Sequence, residues 1–465
     1  MSNRRETHWG TKFGFYLAAV GSALGLGNLW RFPFVTVENG GGAFVLIYIA
    51  FVLVIGLPIL IGELMLGKIT RRGSIAAFRK LEHDEEIGEG TRGTFGAGHL
   101  AALACLLVVS YYAVVSGWVL HFLMQFTFGG ILSSGENVDT SLRLLKDSGL
   151  LQVALASVHI LISLVIVVKG VQEGIEKWVG NIMPIFVVLL GILVVKSLAS
   201  GQAIEALRFQ FYPDFTKLTW YSPLQALGHV FFSLSIGMGT MVAFGSYLKP
   251  ETRIPSAGFR VTTLDTVISL FAGLLIFPTI MGMSMGGSGP ELLFRALPRL
   301  LQGIDSGWFF GVVFFVCLYL GALGASIGLL EALVANVTEV FKVSRERAGW
   351  VVGIVTVCGT IPPALSSSGL KSVTYHGYSL FALWDTVVVN VLLPIGVLAF
   401  CLALAKKLKA EPAIAEFVND DSLVTQKLYS HWRFVVRFVI PAIIVISLSI
   451  ALVKFIFDLF APSYS

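Results

Sequence analysis

Three oxygen-bearing side chains, each inside a strongly apolar stretch, are the first candidates for chemistry in this chain. Asp265 lies in TTLDTVISL, and Asn28 and Ser233 lie in two glycine-containing stretches far from it. A carboxylate, an amide oxygen and a hydroxyl, completed by backbone carbonyls, form the all-oxygen set that a hard cation prefers. Ionisable groups in apolar surroundings are costly and usually functional. A helix cap or a bond between two helices is the alternative for Asp265.

The two glycine-containing stretches interrupt apolar helices. The first is AVGSALGLGNLWRFP, with its break at 22–27, and the second is FFSLSIGMGT at 231–240. Glycine destabilises a helix interior, so such runs predict unwound backbone. The N–H groups of a half-helix attract an anion, and its freed carbonyls hold a cation. Gly21 and Gly25 are alternatively a close-packing face, whereas a nucleotide loop is disfavoured because no strand precedes them.

The composition identifies the elements that position these residues as membrane-spanning helices. The chain has 465 residues, of which 55% are hydrophobic and 13% charged, and its mean hydropathy is +0.82. Apolar segments of about 20 residues recur along the whole length. The net charge of +5 does not indicate nucleic-acid binding, because the basic residues sit in short loops. The four cysteines lie in apolar segments and are expected to be buried hydrophobes. No cleavable signal peptide and no catalytic constellation of an enzyme is expected.

Eleven spans are predicted, and together they form an all-α integral membrane protein with a single domain over 1–465. If the N-terminus is cytoplasmic, most of the 33 lysines and arginines lie at the inner ends of spans and in inner loops, as the positive-inside rule requires. With eleven spans, the C-terminus is then outside. The spans are 12–36, 42–67, 96–127, 150–169, 174–200, 222–248, 261–285, 308–341, 348–365, 379–406 and 434–459.

The two interrupted helices are the first and the sixth of these spans. Five is an odd number, so a duplicated block of five spans must be inverted in the membrane. We therefore expect a first repeat over 12–200, a second over 222–406 and an extra helix at 434–459. Interrupted helices at matching positions of two inverted halves indicate a transporter with a binding site at the midplane.

Four further charged residues lie within or at the ends of spans. Arg31 and Asp385 are predicted at the outer ends of spans one and ten, where they form either a pair across a vestibule or two independent charges. Glu63 and Glu331 are expected either to hydrogen-bond unwound backbone or to contact a substrate.

Seven motifs, spread over most of the spans, resemble those of the neurotransmitter:sodium symporters, and specifically their bacterial amino-acid transporters. They are GSALGLGNLWRFP (21–33), ENGGGAF (38–44), GLPILIGELMLGK (56–68), SYYAVVSGW (110–118), KGVQEGIEK (169–177), FFSLSIGMG (231–239) and LWDTVVVNVLLPIG (383–396). The resemblance implies sodium-driven uptake by alternating access through the five-plus-five inverted repeat, an architecture for which this family is itself a model case.

The resemblance also implies a substrate site. Tyr112 and the backbone N–H groups around Gly25 and Gly27 would meet the substrate carboxylate, since Gly25 replaces an aspartate found in the amine transporters. The amino group would meet carbonyls near Ala23, Phe232 and Ser235. An apolar pocket, widened by glycine and methionine, implies a hydrophobic L-amino acid, with large and aromatic ones in the expected range. Its residues are Val108, Ser235, Met238, Gly328 and Leu329, and Ser233 is included in the substrate-binding set.

The implied ion sites and gates follow the same motifs. The first sodium site comprises the Ala23 carbonyl with Asn28, Ser233 and Asp265, completed by the substrate carboxylate. The outer gate comprises Arg31 and Asp385, roofed by Tyr112 and Phe232. The inner gate comprises Arg5 and Glu339, near Trp9. Besides sodium, the implied partners are the amino acid and the lipid bilayer of the inner (plasma) membrane; no organic cofactor and no nucleic acid are expected.

The eighth span departs from the family pattern at the second sodium site. The two hydroxyls expected there fall at Gly324 and Ala325, and Ser326 is rotated by about 100° to face elsewhere. Only the carbonyls of Gly21, Leu24 and Gly321 remain, a poor cage for a cation. A one-sodium stoichiometry, a proton or a water in this place are the alternatives, so a proton-coupled or sodium-independent transporter is the second hypothesis.

A further departure concerns chloride. Asp265 replaces an asparagine and supplies a fixed negative charge, and His229 takes the place of a chloride-binding glutamine. Tyr48 and Ser269 remain, but the set is incomplete. We therefore expect transport to be independent of chloride, with Asp265 or His229 as candidate carriers of a returning proton.

Overall fold

The protein is nearly all helical in the computed structural model, which describes residues 8–84, 86–87, 95–128, 138–199, 201–282, 292–302, 306–375, 378–417 and 423–460. The helices of the first half are α1 (Lys12–Ala23), α2 (Gly27–Glu38), α3 (Gly42–Thr70), α4 (Ser74–His83), α5 (Phe95–Thr127), α6 (Val138–Asp147), α7 (Gly149–Val168), α8 (Val171–Leu198) and α9 (Ala203–Phe211).

The second half continues the pattern and contains the two strands described. Its elements are α10 (Ser222–Ser233), α11 (Thr240–Ser246), α12 (Ile254–Gly282), α13 (Leu292–Gln302), α14 (Gly307–Phe341), α15 (Arg345–Leu365), β1 (Thr374–Tyr375), β2 (Tyr378–Ser379), α16 (Leu380–Lys406), α17 (Ala410–Phe417), α18 (Leu423–Phe434) and α19 (Ile440–Phe460). The strands pair antiparallel, with Thr374 opposite Ser379. This hairpin corrects the strictly all-α prediction in one detail.

Nine of the described helical segments are long and apolar enough to cross a membrane, and the bent pair α1–α2 makes a tenth. The predicted sixth span consists of α10 and α11, which have 12 and 7 residues and are too short to count separately. The count of eleven spans, the inverted repeat and the orientation of the termini stay predictions. Short helices lie in three connections between the predicted spans, namely α6, α9 and α13.

Both predicted interruptions are present. The axes of α1 and α2 meet at 42°, and α2 opens with a wide π-type turn over Gly27–Arg31. Between α10 and α11 the chain leaves the helix, with positive φ angles at Ser235 (52°), Gly237 (80°) and Gly239 (72°). Serine rarely adopts this left-handed conformation, so tertiary contacts must hold Ser235 in it.

Packing places both interruptions at the centre of the molecule. Helix α14 contacts α1, α5 and α8, and its residues from Gly321 to Asn336 are buried. The outer helices instead expose large aliphatic side chains such as Val195 (70%) and Ile354 (63%), as expected for surfaces that face lipid.

Candidate functional site

A small closed cavity lies where the two interruptions meet α5 and α14. Its volume is about 10 Å³, room for about one water molecule, so a larger occupant requires the walls to separate. Its lining contains every predicted substrate residue except Ser233 and Gly328, and adds Ser22 and Ala325. The lining residues are Ser22, Ala23, Gly25, Gly27, Val108, Tyr112, Phe232, Ser235, Met238, Ala325 and Leu329.

Gly25 is the residue on which the shape of this cavity depends. A Cβ atom at this position would overlap the Tyr112 hydroxyl and lie 2.6 Å from the Cβ of Ala325. The Tyr112 hydroxyl is fixed, because it accepts a hydrogen bond of 2.8 Å from the backbone N–H of Leu26. Glycine therefore allows the Tyr112 hydroxyl and α14 to approach the backbone of the first interruption closely.

Ala325 lines the cavity at α14, whereas Gly328, which the sequence suggests for the cavity wall, does not. A Cβ on Gly328 would overlap the side chain of Ser22, so Gly328 allows α14 to approach α1 and does not line the cavity. Ala325 lines it together with Leu329. These two residues are four apart and share one face of the helix, a spacing from which Ala325 was predictable.

The predicted cation ligands form one buried hydrogen-bond network. Asn28 Nδ2 donates to Asp265 Oδ1 (2.7 Å) and to Ser269 Oγ (2.8 Å). Ser233 Oγ donates to the Asp265 carboxylate, 2.8 Å from each oxygen. The exposed fraction of all four side chains is 0–1%.

The same network extends to the first interruption through Gly25. The backbone N–H of Gly25 is shared between the Ala23 carbonyl (3.0 Å) and Asn28 Oδ1 (3.3 Å). The Ala23 carbonyl and the amide oxygen of Asn28 thus accept from one N–H, and the amide nitrogen of Asn28 links them to the carboxylate and the Ser269 hydroxyl. This donor set suits a hard monovalent or divalent cation and offers no soft ligand.

At the second predicted ion site, two backbone carbonyls of the first interruption lie against glycines of α14. A Cβ on Gly324 would lie 2.8 Å from the Gly21 carbonyl oxygen, and one on Gly321 would lie 3.6 Å from that of Leu24. The carbonyls therefore face α14 at positions that carry no hydroxyl. Ser326 turns away, and its Oγ lies 2.7 Å from Nε2 of His159.

The two charged residues predicted as an outer gate form an ion pair. Arg31 Nη1 lies 2.7 Å from both carboxylate oxygens of Asp385, and its guanidinium stands 5.5 Å from the ring centre of Phe232. The rings of Phe232 and Tyr112 are 6.3 Å apart. Arg31 is 4% exposed, so its guanidinium is buried beside Phe232, a residue of the cavity wall.

The predicted inner gate is not described, because Arg5 lies outside the described residues. Glu339 Oε2 accepts the backbone N–H of Gly73 at 3.0 Å. Trp9 is fixed by a bond of 3.1 Å from Nε1 to the Phe244 carbonyl.

Glu63 and Glu331 take different roles. Glu63 Oε1 accepts the N–H of Gly237 at 2.7 Å and so stabilises the unwound backbone. Glu331 pairs with Arg345 and accepts the Tyr247 hydroxyl at 2.7 Å. The sequence does not identify Arg345, the first residue of α15, as the partner of Glu331, which lies well inside α14.

The residues at the chloride-like position are incompletely bonded. Tyr48 Oη lies 3.2 Å from Ser269 Oγ. His229 is fully buried between the rings of Phe32 and Tyr48. Neither of its ring nitrogens has a hydrogen-bond partner among the described residues.

A polytopic helical bundle whose two broken helices enclose a gated cavity beside an all-oxygen cluster is the architecture of a secondary transporter. The family model of the Sodium:neurotransmitter symporter family matches residues 5–133 and 135–464. The chain belongs to this family, and it is a multi-pass membrane transporter and not an enzyme.

Similar proteins support the bacterial branch of the family. The sodium-dependent transporter YhdH of Bacillus subtilis is 33% identical over 450 residues, which cover 96% of this chain and 98% of the relative. The human sodium- and chloride-dependent GABA transporter 2 is 27% identical, with 81% and 69% covered. The crystal structure of MhsT in complex with L-phenylalanine matches with a TM-score of 0.88 and 34% identity, covering 95% of this chain and 99% of MhsT.

Proposed function

We propose that this protein imports a hydrophobic L-amino acid, large and aromatic ones included, together with sodium across the plasma membrane. The observation that carries the proposal is the contact between the Tyr112 hydroxyl and the backbone of the first interruption, where the Leu26 N–H donates to the phenol and Gly25 has no side chain. A substrate carboxylate would take the place of this contact when the walls of the cavity separate. Val108, Met238 and Leu329 make the rest of the cavity apolar. That MhsT, a similar structure, was crystallised with L-phenylalanine supports this substrate class.

Sodium is the cargo that fits the oxygen cluster. The Ala23 carbonyl, Asn28, Ser233 and Asp265 would hold it, and the substrate carboxylate would complete the set. Because Asp265 already supplies a negative charge beside this site, a second anion has no electrostatic task there. We therefore propose that uptake is independent of chloride.

A second candidate function is proton-coupled or sodium-independent transport of the same substrates. The specific observation in its favour is that Gly324, where a Cβ would lie 2.8 Å from the Gly21 carbonyl oxygen, carries no hydroxyl that could complete a second ion site. Asp265 and His229 are the proton carriers in this version.

Uptake of labelled L-amino acids into proteoliposomes tests the proposal. An inward sodium gradient, the same gradient of potassium, and sodium with gluconate in place of chloride form the three conditions. Uphill uptake that requires sodium and survives gluconate supports the proposal. Uptake indifferent to sodium but driven by a pH gradient selects the second candidate, and saturable binding without any flux contradicts both.

A further inference from the structure

A second, much larger cavity lies apart from the transport site, and its wall includes Ser379, which directly precedes the helix that carries Asp385. Its volume is about 610 Å³, within the range of ligand-binding pockets. Helices α6 and α13, the turn after α15 and the β1–β2 hairpin form its walls, and the hairpin continues directly into the helix that carries Asp385.

The charge of this cavity is strongly positive. Its lining contains two acidic residues, Asp139 and Asp147, and five basic ones, which give a net charge of +3. The basic residues are Arg143, Lys146, Arg295, Arg299 and Lys371. A concave surface with one predominant sign of charge concentrates ions of the opposite sign.

The geometry of the arginines suits an oxyanion. Arg299 pairs with the carboxylate of Asp139 across the cavity wall, and Arg295 approaches the same carboxylate at 4.0 Å. Both guanidinium groups therefore already converge on one oxyanion of the chain itself. A planar guanidinium offers paired N–H donors that match carboxylate and phosphate oxygens.

The position of the cavity relative to the spans indicates which class of anion it binds. Lys146 and Asp147 come directly before the span α7, and Ser366 and Ser367 directly follow the span α15. The cavity thus lies at the ends of two spans, the level at which phospholipid headgroups lie.

We propose that this cavity binds a phosphate-bearing anion, the chemistry shared by acidic phospholipid headgroups and free phosphates. The bound anion ties α6 and α13 to the hairpin that leads to the gate helix. The expected consequence is a more stable transporter when such an anion is present.

The test compares the melting temperature of the purified, full-length transporter under two pairs of conditions. Nanodiscs of phosphatidylglycerol are compared with nanodiscs of phosphatidylcholine, and sodium pyrophosphate is compared with sodium chloride at equal ionic strength in neutral detergent. We expect a higher melting temperature with phosphatidylglycerol, with pyrophosphate or with both. A response to the lipid alone identifies the headgroup as the ligand, and a response to pyrophosphate alone identifies a soluble phosphate.

Two double variants make the test specific. Arg143→Gln with Lys371→Gln removes two exposed cations of the cavity, and we expect about tenfold weaker binding of the responsive anion. Arg208→Gln with Lys217→Gln removes the same charge from the connection between α8 and α10, outside the cavity, and should leave the response unchanged. Equal losses in both double variants, or no response of the wild type to either phosphate source, would overturn the proposal.

Discussion

Substitution of Gly25 by alanine is the sharpest test of the transport cavity. The added Cβ would overlap the Tyr112 hydroxyl and lie 2.6 Å from Ala325 Cβ, closer than Cβ atoms approach in proteins. Overpacking of this kind costs about 1–3 kcal/mol, which corresponds to roughly 5- to 150-fold in affinity. We expect Gly25→Ala to weaken equilibrium binding of the best substrate of the uptake panel within that range.

A double-mutant cycle identifies where this loss originates. Ala325→Gly removes one of the two overlaps, so Gly25→Ala with Ala325→Gly should bind more tightly than Gly25→Ala alone, by an interaction free energy of about 0.5–3 kcal/mol. Gly191→Ala is the matched control, because a Cβ at Gly191 meets no atom within 4 Å. Binding by Gly25→Ala within twofold of the wild type would refute the assignment of the cavity, and additivity in the cycle would refute the place of Ala325 in its wall.

Three further predictions concern the charged groups around the cavity. Asp265→Asn should raise the sodium concentration for half-maximal uptake at least about tenfold, because a charged ligand is lost; a sodium titration in which the curve does not move would contradict this. Asp385→Asn leaves the buried guanidinium of Arg31 without its carboxylate partner. It should therefore speed the dissociation of bound substrate about tenfold or more, measured as the release of labelled substrate after the complex is diluted. Glu331→Gln should lower the melting temperature more than the double variant Glu331→Gln with Arg345→Gln. The reason is that the single variant leaves the Arg345 guanidinium without its carboxylate partner. A larger decrease in the double variant would show that Glu331 does not offset the charge of Arg345.

The parts of the site that the sequence predicts are those encoded locally. Glycines within apolar runs determine where the helices break, and Asn28, Arg31, Phe232 and Ser233 lie beside those breaks. The presence of Ala325 instead of Gly328 in the cavity wall is not encoded locally, because it depends on how closely α14 approaches Ser22. The pairing of Glu331 with Arg345 likewise depends on a turn whose geometry the two charges do not specify, and the strands of the hairpin have only two residues each, too few for any periodicity.

In the proposed mechanism, the arrangement of residues at the two breaks would couple ion binding to gate closure over a short distance. Asn28 of the oxygen cluster and Arg31 of the gate lie in the same wide turn, Gly27–Arg31. Ser233 and Phe232 are consecutive at the end of α10; Ser233 donates to Asp265, and Phe232 lies beneath Arg31. A cation that draws Asn28 and Ser233 together therefore moves the same two backbone segments that bring Arg31 over Phe232. The contacts to the cation and the contacts of the gate share these segments. If the cation binds the closed arrangement more tightly than the open one, bound cation stabilises the closed gate by the same free energy.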